Sequence, residues 1–114
     1  MSKLKLPKVI KVGAHEYEVV YPHRFQEVDG YLGLHDSNIR RIMIAEVDWC
    51  GNTRKATDIY KTLLHEILHA IDNVYLKGRI GEEGDEEKII DSLADGLLQV
   101  LLDCGLLRPL GKEK

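Results

Sequence analysis

Residues 54–75, RKATDIYKTLLHEILHAIDNVY, decide how the rest of the chain is read. Ile59, Leu63, Ile67 and Ile71 recur every four residues, with Leu64, Leu68 and Val74 beside them, which is a helical period. Upstream the period is two. KVIKVGAHEYEVVY, residues 8–21, alternates on each side of Gly13-Ala14-His15 and predicts a β-hairpin closed at Pro22. YLGLHDSNIRRIMIAEV, residues 31–47, predicts a second strand pair that turns at Asp36-Ser37-Asn38, with Ile39 to Ala45 as its β-branched return strand.

Between strands and helix lies VDWCGNT, residues 47–53, and Asn52, Thr53 or Thr57 is the expected N-cap. Lys77-Gly78 ends the helix, and Gly81 to Gly84 reads as a polar loop. A second helix is expected from Asp85 to Cys104, with acidic residues in its first turn where they complement the helix dipole. Gly105 suits the residue after the helix end, and Pro109 stops any continuation. Strands first and helices after them predict an α+β fold, a small antiparallel or mixed sheet of about four strands followed by two main helices. The expected organisation is one domain over residues 1–114, with 1–7 and 109–114 flexible.

The bulk properties exclude several classes of function. A net charge of −3, with basic residues scattered, argues against a nucleic-acid partner. No stretch approaches the apolar length of a membrane span, and the N-terminus lacks the apolar core of a signal peptide. Cys50 and Cys104 do not suggest a disulfide framework and read as small buried hydrophobes. A reduced, cytoplasmic setting follows as the expectation.

Within the helix, His65 and His69 are four residues apart and project to one side, so both can reach a single ion. Imidazole nitrogen suits Zn²⁺. Glu66 lies about 100° further round, beside that ion, where it can take a proton from a metal-activated water. A catalytic zinc needs a third protein ligand. Glu87 and Glu86 are the candidates at the start of the second helix. Glu87 is favoured because Asp91 follows four residues later, as EKIID, and can accept a hydrogen bond from the far nitrogen of a ligand histidine. Asp91 is flanked by Ile89, Ile90 and Leu93, so it is expected to be a buried carboxylate that needs a partner.

Asp72 shares the histidine face a turn further on, too short to reach the ion, and reads as a supporting or surface group. His15, His23 and His35 fall in or near turns and are expected to be solvated. One of them, or Tyr31, Tyr60 or Tyr75, is a candidate donor to the oxyanion. GEEGDEE, residues 81–87, lacks calcium-loop spacing and reads as a solvated lead-in to Glu87.

With HEILH at 65–69 and EKIID at 87–91, residues 30–104 resemble the gluzincin group of zinc metallopeptidases. The likeness is nearest to very small single-domain members and to short HExxH proteins of phages and mobile elements, more distantly to ImmA/IrrE-type peptidases. The resemblance implies that His65, His69 and Glu87 hold Zn²⁺, that Glu66 is the general base, that Asp91 supports a ligand, and that a peptide or protein is the substrate. It also implies that an edge strand pairs with the extended substrate, with Ile39 to Ala45 as the counterpart by order. The competing expectations are an inactive zinc-binding module that acts by protein binding, and a hydrolase of non-peptide amides.

Overall fold

The computed structural model describes residues 4–26 and 30–108. The chain runs β1 (Val9–Val12), β2 (His15–Val20), β3 (Gly33–Asp36), β4 (Arg41–Ile44), α1 (Ala56–Ile71), a π-helical turn (Asp72–Leu76), α2 (Ile80–Glu83) and α3 (Glu86–Asp103). This is the α+β order read from the sequence.

The strands form one mixed sheet in the order β1-β2-β4-β3. β1 and β2 pair antiparallel, from Val9 opposite Glu18 to Val12 opposite His15. Gly13, at φ 63°, makes their turn, a left-handed conformation that favours glycine. In β2, Tyr17 and Val19 are buried while Glu16 and Glu18 face water, the alternation of a strand covered on one side. β3 and β4 also pair antiparallel. Their turn is held by Asp36, whose Oδ1 accepts from the amides of Asn38 at 3.0 Å and Ile39 at 3.4 Å.

β4 pairs parallel with β2 and is therefore interior. That corrects the substrate-edge assignment of Ile39 to Ala45. Ile42, Met43 and Ile44 are all buried, and such an unbroken apolar run suits a strand flanked on both sides. The edge strands are β1 and β3, and β3, whose residues are all half-buried, is the edge beside α1.

α1 lies across β3 and β4, and α3 packs against α1. The core joins Val12, Tyr17, Val19, Ile42 and Ile44 of the sheet to Ile59, Leu63 and Ala70 of α1. α1 starts from Lys55, with no side-chain cap. The expected caps are otherwise engaged: Asn52 bonds Asp48, Thr53 bridges to Val47, and Thr57 sits inside the first turn. Lys77, left-handed at φ 57°, ends the π-helical turn, and Gly78 follows at φ 80°. The expected loop at Gly81–Gly84 is largely the short helix α2. α3 begins at Asp85, whose side chain accepts from the amide of Lys88 at 3.3 Å, and Gly105 (φ 85°) follows its end.

Pro109 as a stop and the expected flexible ends at 1–3 and 109–114 lie outside the described residues. Of the remaining N-terminal residues, Leu4 and Leu6 pack against the core. Both cysteines are exposed, not buried as their residue type suggests. No described helix is long and apolar enough to cross a membrane.

Candidate metal centre

His65 and His69 project from α1 toward the first turn of α3. His65 Nε2 is 3.1 Å from Glu87 Oε1, His69 Nε2 is 3.0 Å from Glu87 Oε2, and the two Nε2 atoms are 3.2 Å apart. Among the described residues these three side chains form the group whose ligand atoms converge as a metal would require.

The far nitrogens explain why that convergence matters. His69 Nδ1 donates to Glu86 Oε2 at 2.8 Å, and His65 Nδ1 lies 3.4 Å from Asp91 Oδ1. Carboxylates only accept, so an N–H on either Nδ1 can point at its own acid, and that tautomer leaves Nε2 free to ligate. In that tautomer two imidazole nitrogens and a carboxylate face one another at about 3 Å, an arrangement favoured by positive charge among them, whether a metal ion or a ring proton. Ligand bonds of about 2.0–2.1 Å in a tetrahedron separate ligand atoms by about 3.3 Å, close to the spacing seen. The donor set and its spacing fit a zinc ion.

Each sequence candidate thus has a definite place. Glu87 faces both Nε2 atoms, whereas Glu86 holds the Nδ1 of His69. Asp91 meets His65 as expected, but its side chain is 52% exposed, not buried. It lies on the flank of α3 toward α1, and Lys61 Nζ is 3.3 Å from the same oxygen and 3.0 Å from Asp95 Oδ1. Partial burial works against the charge of Lys61, but the two carboxylates outweigh it and hold its pKa above the ordinary lysine value. Asp72 is neither supporting group nor surface group. It is buried, and its Oδ1 accepts from the amide of Ile80 at 3.1 Å, tying the end of α1 to the start of α2.

Glu66 is 7% exposed and lies in the groove between α1 and the free edge of β3. Burial pushes its pKa up to about 7, with Glu87 adding to the shift and His69 opposing it. In the metal-free chain, the unfolded carboxyl ionises near 4.5 and the folded one near 7. The folded state therefore binds more protons between these values, and the stability present below about pH 4.5 is lost as pH rises through about 7. Across that window the melting temperature of the metal-free wild type should fall relative to Glu66→Gln, which cannot ionise. Parallel melting curves would contradict the assignment.

Several groups at the site carry no motif. A Cβ at Gly33 would overlap Thr62 Cγ2 and stand 3.0 Å from Glu66 Oε2, so the strand comes this close to α1 only without a side chain. Thr62 is pinned, since its hydroxyl donates to the Asp58 carbonyl and accepts from Arg54. Arg54 also donates to the carbonyls of Ala45 at 2.9 Å and Leu32 at 3.4 Å, clamping the strands to the first turns of α1. Gly33→Ala is expected to cost about 1–3 kcal/mol, the range of overpacking, and to displace Glu66. An unchanged urea midpoint with full activity would refute this close approach. The one available sequence signal was a lone glycine inside a strand pattern.

His35, expected in a solvated turn, belongs to β3 and is half-buried. Its ring lies parallel to that of His69, 6.3 Å between centroids, and its Nε2 is hydrogen-bonded at 3.4 Å to the hydroxyl of buried Tyr17. Burial and the neighbouring His69 keep its pKa below the ordinary histidine value. Of the candidate oxyanion donors, His35 and Tyr31 line the groove. The groove encloses about 1090 Å³, bounded by residues 30–35 on one side and by α1 and the start of α3 on the other.

Comparison with protein-family models, curated proteins and solved structures finds no match for this chain. The functional reading therefore rests on the site itself.

Proposed function

We propose that the chain is a zinc-dependent peptidase in which His65, His69 and Glu87 hold the metal. The observation that carries this reading is the convergence of two imidazole Nε2 atoms and one carboxylate at 3.0–3.2 Å, each imidazole with a further acidic side chain beside its Nδ1. A purely structural zinc needs no base beside it, yet Glu66 is buried against the cluster at a raised pKa. When bound, the ion supplies Lewis acidity and lowers the pKa of water toward neutrality.

The chain's own residues do the rest. Glu66 takes the proton of the attacking water and returns it to the leaving amine. Glu86 and Asp91 fix the orientation of the two imidazoles. Gly33 lets the free edge of β3 lie beside Glu66, so an extended peptide can pair along that edge with its carbonyl near the site. The exposed, unpaired cysteines fit a reducing, cytoplasmic setting.

Quenched peptide libraries test the proposal. Zinc-loaded protein is expected to cleave peptides, to stop when the metal is chelated, and to recover on zinc addition. Cleavage of none, or cleavage indifferent to chelation, would overturn it.

A further inference from the structure

Two exposed aromatic rings are not used by the proposed chemistry: Tyr31, which lines the groove, and Trp49, which follows the groove residue Asp48 in the chain. Trp49, the single tryptophan of the chain, is 51% exposed, and Tyr31 is 46% exposed. The Trp49 indole donates to the Tyr31 carbonyl at 3.3 Å, which fixes one ring beside the other's backbone. Phe25 meets Tyr31 edge to face, 6.0 Å between ring centroids.

The loop that carries Trp49 is tied at several points. Asp48 Oδ1 accepts from the amides of Cys50 and Asn52, both at 2.9 Å, Val47 bridges to Thr53, and the Arg54 amide donates to the Glu46 carbonyl at 2.8 Å. These bonds hold Asp48 below the usual carboxylate pKa range, the Asn52 amide contributing most. A large apolar ring kept half in water on a constrained loop gains nothing for the fold. Such rings offer wide contact area at little cost in side-chain entropy, which suits recognition.

Position along the chain says what they would recognise. His35 lies against His69 and Gly33 against Glu66, so the reacting carbonyl belongs opposite this pair. Tyr31 lines the same groove two residues before Gly33, outside β3 and across the bend at Leu32. The charges nearby are of both signs, Asp48, Lys55 and Asp58, and select neither acidic nor basic side chains. We propose that Trp49 and Tyr31 form a platform for an aromatic side chain of an extended peptide substrate, about two residues from the bond that is cut. This rests on the peptidase reading and deepens it.

The test has two readouts. Zinc-loaded wild type should cleave peptides with phenylalanine at that distance about fivefold faster, as kcat/KM, than their alanine counterparts, the size of one aromatic pair. Trp49→Ala and Tyr31→Ser should each reduce the preference, and Trp49→Phe should keep it. Cleavage without the preference, or with it intact in both reducing variants, overturns the platform and leaves the peptidase reading standing. In zinc-loaded Glu66→Gln, the emission of Trp49 should shift saturably with the phenylalanine peptide and not with the alanine one. A shift without wild-type turnover keeps the platform and removes the peptidase reading. Emission that never responds overturns the platform.

Discussion

Replacing Glu66 by glutamine is expected to lower peptide hydrolysis by about 10²–10⁴-fold, the usual contribution of a positioned base, while leaving zinc uptake intact. The structure supplies the reason for both halves. The Glu66 carboxylate lies in the groove and not among the three converging ligand atoms, so its loss leaves the donor set complete. Glutamine has the same shape and no charge, so it fits a buried position that already favours the neutral form of the acid. Steady-state kinetics with zinc content measured on the same samples checks it. Wild-type turnover by the variant would show that the base lies elsewhere.

The second large effect separates the two adjacent glutamates. Glu87→Ala removes a carboxylate whose two oxygens stand 3.1 Å from His65 and 3.0 Å from His69, and zinc affinity should fall by more than about a hundredfold. Glu86→Ala and Asp91→Ala remove only groups that hold an Nδ1, and losses of about 10–100-fold are expected. Glu86 should matter more than Asp91, because it hydrogen-bonds its imidazole at 2.8 Å while Asp91 stands 3.4 Å away, and because Asp91 is shared with Lys61. Competition titration with a chromogenic chelator measures all three. A larger loss for Glu86→Ala than for Glu87→Ala would exchange their roles.

Much of the fold was legible because the chain changes period once, from two to 3.6, and because Gly13, Asp36, Gly78 and Gly105 mark turns and helix ends. The parallel pairing of β2 with β4 was not legible. It joins segments more than 20 residues apart, and no local pattern encodes which strand becomes the neighbour of which. That one pairing makes β4 interior and leaves β3, with His35 and Gly33, as the edge beside α1.

At the candidate centre, helix geometry alone brought His65, Glu66 and His69 together. Spacing also singled out Glu87 and Asp91, but it could not give Glu86 its place, because neighbouring residues on a helix point about 100° apart and either could face α1. The predicted burial of Asp91 failed for a related reason: α3 leaves Leu93 49% and Leu97 39% exposed, so apolar neighbours in sequence did not mean an apolar surrounding in space. Arg54 and Lys61 carried no signal, since their partners are backbone carbonyls and acids on other elements.

The central claim is that the converging side chains hold a metal, and zinc content per chain tests it most directly. Elemental analysis should use protein purified without a metal-affinity tag, offered zinc and then freed of excess. About one zinc per wild-type chain is expected, with a clear loss in Glu87→Ala. Wild-type protein that retains no metal would contradict the account.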